Sequence, residues 1–215
     1  MGINNKNIIM AKNGNISNGV KISLAIKDHA PQIAKIHKQE INQGFLSQLG
    51  IKFLSKLYEA MILSKNSFVV VAKKNDEVIG FISGCLNIKN FYKDFLKKNT
   101  LWAIIILLPK FLNLATIKKI IETLKYSKKE ENDLPETELL VIAVKKEFHG
   151  QGIAIKMFEF FIDELKKREI KKFRVVVGKN LSRAIGFYEK VGFKFHSNIT
   201  IHQNNLSKIY IYIIK

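Results

Sequence analysis

A strand, a helix and a second strand follow one another in the C-terminal half of the chain, and this order constrains the fold more than any other feature. Glu138–Val144 (ELLVIAV) is almost continuously apolar, which is typical of a strand buried on both faces of a sheet. Gly150–Glu169 carries apolar residues at helical spacing, and Phe173–Val177 (FRVVV) is the next strand. The sequence therefore predicts a mixed α/β domain with a β-α-β unit near its centre.

We predict that strands and helices on both sides of this unit complete one domain. The predicted elements before it are a strand at Val20–Ile26, helices from Asp28 to about Gln43 and at Gly50–Leu63, and a hairpin of Ser67–Ala72 with Glu77–Ile88. Those after it are a helix at Asn180–Val191 and a hairpin of Phe193–Ile201 with Leu206–Ile214. Residues 1–19 are rich in Asn, Gly and Lys, so we predict a flexible leader followed by a domain at 20–215.

A segment at about 90–136 interrupts this pattern ahead of the β-α-β unit. Its Thr100–Leu108 stretch is strongly apolar, and a second helical stretch follows at Phe111–Tyr126. The nine-residue apolar run is too short to span a bilayer, so we favour a helical insertion packed on the domain. Trp102 and the lysines near it leave open a second interpretation, in which residues 100–126 rest on a membrane surface.

The net charge of the chain is +18, because 36 lysines and arginines face 18 aspartates and glutamates. Such a field attracts anions, including nucleic acid, phosphates and anionic membranes. Nucleic-acid binders, however, gather arginine and aromatic residues on one stripe, whereas here nearly all the positive charge is lysine spread along the chain. The pattern therefore argues against a nucleic-acid partner, and A/T-rich codon usage is an alternative explanation of the lysine excess.

A single cysteine, Cys85, excludes a disulfide framework and a cysteine-rich zinc site. It lies in a predicted strand with nothing nearby to activate a thiolate, so we expect a small buried residue. The first residues contain no apolar run of signal-peptide length. We therefore expect a cytoplasmic protein without a metal site.

The turn between the first strand and the helix of the unit carries the strongest functional signal. After Val144 the sequence reads KKEFHGQGIA, so the helix begins within a turn that contains Gly150 and Gly152. Glycines let the backbone approach a ligand closely, and the first N–H groups of a helix have no partner within it, so an anion such as a pyrophosphate fits there. A P-loop motif is absent, and a dinucleotide fingerprint would need a third glycine at Ile155. Taken alone, the turn fits an ordinary helix start equally well.

A second block downstream makes the pattern specific. The two blocks are Ala143-Val144 with His149-x-x-Gly152-x-Ala154, and Asn180 with Ala184, Phe187-Tyr188 and Gly192-Phe193. Together they resemble the GNAT superfamily of acyl-CoA-dependent N-acetyltransferases, strongly over Glu138–Phe195 and by element order from about Lys21 to Lys215. The resemblance implies a single α/β domain with a mixed, mostly antiparallel, twisted sheet of about seven strands flanked by helices. His149 departs from the family pattern, which has Arg or Gln there.

The resemblance also implies acetyl-CoA as the acyl donor. In the family, the strand before the glycine turn separates from its neighbour and binds the pantetheine arm through its backbone, which assigns Ile142, Ala143 and Val144. The amides of the turn would hold the pyrophosphate, and they belong to His149, Gly150, Gln151, Gly152, Ile153 and Ala154. Asn180 matches the position that contacts the cofactor arm, although a plain helix cap is an alternative role.

Two catalytic roles follow from the same resemblance. Tyr188 matches the general acid that protonates the departing CoA thiolate, and packing in the core is the alternative. Glu138, at the start of the cofactor strand, is the best candidate for the base that takes a proton from the acceptor amine, directly or through a water. A structural carboxylate is its alternative. His37 and Glu40 in the first helix are further candidate bases.

We therefore predict an N-acetyltransferase that transfers an acetyl group from acetyl-CoA to a primary amine by direct attack in a ternary complex. A small molecule and a protein amine both stay open as the acceptor. Two alternatives remain: an acyl-CoA-binding module that transfers nothing, and a membrane-peripheral protein that uses residues 100–126. A homodimer is expected only by family analogy.

Overall fold

A computed structural model of the protein describes residues 19–41, 45–95, 97–98, 134–202 and 205–215. Most of the predicted leader and of the predicted insertion, including residues 100–126, lies outside these ranges. The strands are β1 (Val20–Leu24), β2 (Ser67–Lys74), β3 (Glu77–Cys85), β4 (Glu138–Val144), β5 (Lys172–Gly178), β6 (Lys194–His202) and β7 (Asn205–Ile213). The helices are α1 (Ala30–Glu40), α2 (Phe45–Gln48), α3 (Ile51–Leu63), α4 (Ile153–Lys167) and α5 (Ser182–Lys190), and residues 88–95 are helical as well.

The strands form one seven-stranded sheet in the order β1-β2-β3-β4-β5-β7-β6. β4 and β5 are parallel, and every other neighbouring pair is antiparallel. α4 connects the two parallel strands, as a crossover between parallel strands requires. The predicted fold class, a mixed and mostly antiparallel sheet flanked by helices, is therefore confirmed.

One predicted boundary moves for a local reason. β3 ends at Cys85, ahead of the predicted end at Ile88. Asn87 Oδ1 accepts a hydrogen bond from Asn90 N at 2.9 Å, which is the geometry of a helix N-cap. The chain therefore becomes helical directly after β3.

Two layers of helices cover the sheet. α4 packs on one face, where Met157, Phe161 and Leu165 are buried with Val70 and Ile82 of the strands. α1 and α3 pack on the other face, and the buried residues there include Ile33, Ile36, Leu54, Tyr58 and Phe81. The side chains of neighbouring residues of β3, Phe81 and Ile82, thus pack against opposite helical layers, as the alternation of side chains along a strand requires.

Gly84 lets α4 lie close to the sheet. The ring of Phe161 on α4 stacks on Phe68 of β2 with 4.9 Å between the centroids, and it covers Gly84 of β3. A Cβ atom at position 84 would lie 2.5 Å from Phe161 Cε2, closer than carbon atoms approach in proteins. The packing of α4 on the sheet therefore requires a glycine at this position.

A buried polar pair joins α1 to α3. His37 Nδ1 and Tyr58 Oη lie 2.6 Å apart, and the imidazole stacks on Phe81 of β3 with 6.5 Å between the centroids. Burial, with a smaller contribution from Lys38, lowers the pKa of His37 to about 4. His37 is therefore neutral in the folded protein at pH 7.

Replacing Gly84 by alanine is expected to lower the free energy of unfolding by about 1–3 kcal/mol, because the added methyl group displaces the packed ring of Phe161. Urea unfolding at pH 7 measures the change. The control is Gly186→Ala in α5, where an added Cβ meets nothing within 4 Å. It is expected to raise the free energy of unfolding by about 0.5–1 kcal/mol. Equal effects of the two substitutions would contradict the packing argument.

The neutral state of His37 predicts a loss of stability in acid. In the unfolded chain a histidine takes up its proton near pH 6.5, whereas folded His37 stays neutral until about pH 4. The unfolded state therefore binds more protons in this window, and the free energy of unfolding falls as the pH drops. Urea unfolding between pH 7 and pH 4 is expected to show wild type losing about 3 kcal/mol more than His37→Gln.

The control for this pH series is His196→Gln, which changes an exposed histidine of β6. This variant is expected to lose stability with the same pH dependence as wild type. If His37→Gln followed the wild-type curve as well, a neutral buried imidazole at position 37 would be ruled out.

Candidate active site

The parallel ladder between β4 and β5 ends soon after it begins. β5 pairs with β4 only at Glu138 and Leu139, opposite Arg174 and Val175. β4 continues beside β3 up to Val144, so within the described part of the chain its other edge has no strand partner after Leu139. Backbone N–H and C=O groups on such an edge can pair with an extended ligand, which then lies beside the strand like an added one.

A β-bulge at Leu140 accompanies this separation. Along β3, Gly84 faces Leu139 and Ser83 faces Val141, which leaves Leu140 as an extra residue in β4. A bulge bends its strand and increases the local twist, so β4 changes direction where its pairing with β5 ends. The bulge could not be predicted from the sequence, because Leu140 lies inside an apolar run that no local signal interrupts.

The three residues predicted to bind the pantetheine arm lie on the separated part of β4. Ile142 is half-buried, whereas the side chains of Ala143 and Val144 are buried against the two helical layers. Their side chains therefore serve the core, and only their backbone is suited to a ligand. Contact with a cofactor stays a prediction for all three.

The turn after β4 presents backbone amides at the start of a long helix. Gly150 and Gly152 have φ angles of 78° and 75°, which other residues rarely adopt, and Gly152 is the N-cap of α4. A Cβ at either glycine would meet nothing within 4 Å, and Gln151 between them is exposed, so this side of the turn is open. The first N–H groups of the helix, including those of Ile153 and Ala154, have no intrahelical acceptor. The predicted residues thus come together in a turn that can bind an anion.

His149 is held within this turn by its own ring and amide. Its Nε2 donates to Val144 O over 2.7 Å, and its backbone N donates to Lys146 O over 3.1 Å. Gln151 Nε2 donates in a similar way to Glu147 O over 3.3 Å. Both side chains therefore stabilise the shape of the turn, and a phosphate contact by either of them stays a prediction.

Tyr188 lies on the buried side of α5. Its ring packs 5.7 Å from that of Phe187 and 5.3 Å from that of Phe193, and 5% of the residue is exposed. Burial raises the pKa of Tyr188 well above its ordinary value, and the negative charge of Glu138 adds to this effect. The phenol therefore carries its proton at neutral pH, as a proton donor must.

Glu138 is engaged in a buried ion pair. Its Oε2 accepts a hydrogen bond from Arg174 Nε at 2.9 Å, and the side chain of Arg174 is fully buried. Its negative charge also contributes to the raised pKa of the Tyr188 phenol. The role of Glu138 as a base stays a prediction.

Arg174 is a residue of this region that the sequence analysis did not single out. It interrupts the apolar strand FRVVV, and a lone arginine inside such a strand is the signal that could have found it. Its partner Glu138 was singled out for another role.

The other sequence candidates lie around the same region. Glu40 Oε1 accepts a hydrogen bond from Lys146 N at 3.1 Å, so the end of α1 contacts the turn after β4. Asn180 is exposed just before α5, whose N-cap is Leu181, so the plain cap proposed for Asn180 does not form. Its contact with a cofactor stays a prediction, as does a base role for His37 or Glu40.

Cys85 is buried, as predicted, and its Sγ lies 3.4 Å from Asn66 O. Burial is the main cause that raises the pKa of its thiol to about 12, and Glu138 contributes. The thiol is therefore protonated at neutral pH and poorly suited to a covalent acyl intermediate.

Among the described residues, no group of three or more His, Cys, Asp and Glu side chains could hold a metal ion. Within the same ranges, no helix has the length and apolar character needed to cross a bilayer.

Comparisons with known proteins identify relatives of this fold. The ribosomal-protein-S18-alanine N-acetyltransferase of Escherichia coli has a TM-score of 0.57 and 15% identity, covering 91% of this chain and 94% of its own. The acetyltransferase YncA of Salmonella typhimurium, solved with its cofactor acetyl-CoA, has a TM-score of 0.59 and 13% identity, covering 92% and 95%. An N-acetyltransferase of Staphylococcus aureus has a TM-score of 0.59 and 14% identity, covering 91% and 99%. At such identities these likenesses establish the fold.

A search of curated proteins found no match. The family model described as "Acetyltransferase (GNAT) family" matches residues 38–193, which is well over half of the chain and includes β4, the glycine turn and α5. The protein therefore belongs to the GNAT acetyltransferase family.

Proposed function

We propose that the protein is an N-acetyltransferase that transfers an acetyl group from acetyl-CoA to a primary amine of a small molecule or a protein. The observation that carries this proposal is the separation of β4 from β5 beyond Leu139, directly before an open turn of backbone amides. An extended arm fits the first feature and a diphosphate fits the second. Coenzyme A combines these two chemical parts in one molecule.

The residues that would hold acetyl-CoA contribute mainly backbone groups. Ile142, Ala143 and Val144 would pair with the amides of the pantetheine arm. The diphosphate would lie on the N–H groups of the turn and first helical residues, which are Gly150, Gln151, Gly152, Ile153 and Ala154. Asn180, which is exposed before α5, would also contact the arm.

Acetyl-CoA supplies a thioester whose carbonyl carbon forms a bond with the acceptor nitrogen. In the proposed mechanism, a backbone N–H on the separated part of β4 stabilises the negative charge that develops on the carbonyl oxygen. Tyr188 then donates its phenolic proton to the sulfur as the carbon–sulfur bond breaks. The amine loses its own proton to a base, and Glu138, His37 and Glu40 are the candidates for this role.

Two of the solved relatives support the finer parts of this proposal. YncA was solved with acetyl-CoA, which is the donor proposed here. The enzyme from Escherichia coli is named for the transfer of an acetyl group to the alanine of a ribosomal protein, so amine acceptors occur on this fold. Both are 15% identical or less to this chain, so the acceptor proposed here is left at the level of a primary amine.

A second candidate function is an acyl-CoA-binding module without catalysis. The ion pair between Glu138 and Arg174 favours it, because it occupies the carboxylate that was predicted to act as the base. The two functions differ in one measurement. A catalytic protein releases free CoA when incubated with acetyl-CoA and a panel of amines, whereas a binding module only binds the donor.

Replacing Tyr188 by phenylalanine is expected to lower turnover about 100-fold and to leave the Kd for CoA nearly unchanged, because only the donated proton is removed. Free-CoA release measures turnover, and titration calorimetry measures Kd. The control is Tyr210→Phe, which removes a phenol that donates to Glu189 Oε1 at 2.9 Å. An unchanged rate for Tyr188→Phe removes Tyr188 from the mechanism. A wild-type protein that does not bind CoA at millimolar concentration contradicts the proposed function itself.

Replacing Gly152 by alanine is expected to weaken CoA binding about tenfold, because a side chain at a φ of 75° costs about 1–2 kcal/mol and distorts the turn. The matched control is Gly19→Ala at the start of β1, with a φ of 70° and nothing within 4 Å of an added Cβ. Calorimetry with CoA is expected to show a weaker Kd for Gly152→Ala alone. An equal Kd for both variants would show that the turn does not bind the diphosphate.

A further inference from the structure

Arg174 is an arginine with no exposed surface in the middle of a sheet. It belongs to β5, and its relative exposure is 0%. Arginine is almost never fully buried unless its charge is paired, because removing the guanidinium from water is costly. The pairing is supplied by Glu138 of β4, which is itself buried and bonds Arg174 Nε at 2.9 Å. A charged pair in such a position calls for an explanation beyond stability, since apolar residues of similar volume would serve stability equally well.

The position of the pair in the sheet suggests that explanation. Glu138 and Arg174 face each other in the register of β4 and β5, and Leu139 with Val175 forms the next pair. Arg174 N also donates to Thr137 O at 3.0 Å, which adds a backbone bond at the same level. The ion pair therefore lies at the vertex where the two strands are still joined, directly before they separate.

An ion pair at a vertex controls geometry in a way that apolar contacts cannot. The bond from Nε to Oε2 is directional, so together with the backbone pairing it restricts how the two strands can lie at this point. The bulge at Leu140 then bends β4 away within one residue of the last pair. A change in the spacing of the strands at the vertex would also change the width of the cleft, which is the space between β4 and β5 beyond Leu139.

We propose that Arg174 and Glu138 are positioning residues whose ion pair sets the separation of β4 and β5, and thereby the fit of the acyl-CoA arm in the cleft. In this role Glu138 acts through Arg174 and does not take the proton of the acceptor amine. The inference rests on the proposed function, because it concerns the cleft in which the donor is expected to bind. It also assigns a role to an arginine that the reaction itself does not require.

Replacing Arg174 by methionine tests the positioning role separately from general stabilisation. Arg174→Met leaves a similar volume but removes the guanidinium that bonds Glu138, so β4 and β5 lose this ion pair. The Kd for CoA, measured by calorimetry on the folded fraction, is expected to rise about tenfold or more, and the KM for acetyl-CoA should rise more than kcat falls. Arg174→Lys keeps the charge at nearly the same depth, and it is expected to recover part of the lost affinity.

Glu138→Gln separates the positioning role from the role of a base. Glutamine keeps an oxygen that can accept the bond from Arg174 Nε, but it cannot take a proton from an amine. If the residue positions the strands, this variant should keep a Kd for CoA and a turnover within about tenfold of wild type. If it is the base, turnover should fall about 100-fold or more with Kd unchanged, and this result overturns the proposal.

The matched control is Arg168→Met at the C-terminal end of α4. Arg168 Nη1 lies 2.5 Å from Glu164 Oε2, and Glu164 is as buried as Glu138. This pair lies at the end of one helix, where Arg168 also stacks on Phe68 of β2, and it does not connect β4 to β5. Breaking it is expected to lower the melting temperature without changing the Kd for CoA. A change of Kd in this control equal to that of Arg174→Met would assign the effect to stability alone and overturn the proposal.

The outcomes distinguish this inference from the function on which it depends. If wild type does not bind CoA, both fail. If wild type binds CoA and folded Arg174→Met binds it equally well, the proposed function stands and the positioning role is overturned. Should Arg174→Met fail to fold, Arg174→Lys decides: a Kd several-fold above that of wild type supports the role, and an unchanged Kd overturns it.

Discussion

The geometry of the candidate site follows from the break in the ladder between β4 and β5. Two parallel strands inside a sheet normally satisfy each other's backbone groups along their whole length. Here the joined part is limited to Glu138 and Leu139 of β4. The sheet nevertheless stays continuous, because β3 pairs with β4 to its end and β7 pairs with β5 along its full length. The opening is therefore a fixed feature of the sheet and not a frayed edge.

Packing on both faces holds the opening and the turn beside it in place. Gly84 allows α4 to lie close to the sheet, and a Cβ at Gly80 of β3 would meet both Val144 at the end of β4 and Met157 in α4. On the opposite face, Glu40 at the end of α1 accepts the amide hydrogen of Lys146. The turn is therefore supported by both helical layers. This arrangement explains how a short glycine-containing segment keeps one shape without a metal or a disulfide among the residues described.

The sequence was sufficient for those parts of the fold that local pattern determines. The apolar run of β4, the stripe of α4 and the two glycines of the turn each carry their signal within a few residues, and the structure has a strand, a helix and an open turn at those places. The order of the elements, with the two family blocks, was enough to predict the mostly antiparallel sheet.

The parts that the sequence did not reveal depend on contacts between distant segments. No residue near Leu140 predicts a bulge, because a bulge is defined by the pairing of β4 with β3 and not by the sequence of β4 alone. The partner of Glu138 lies on another strand, and its identity follows from the register of β4 with β5. The inward ring of His149 is a similar case, since its acceptor is the carbonyl that ends β4. Composition and spacing describe which residues are present, whereas these three features depend on which groups the fold brings together.

The inward position of His149 has a consequence for how the turn would bind an anion. Its Nε2 and its backbone amide are both engaged within the turn. An anion would therefore meet the backbone N–H groups beside it, whose arrangement requires the positive φ angles of Gly150 and Gly152. Anion binding here would depend on backbone conformation more than on which side chain stands at position 149.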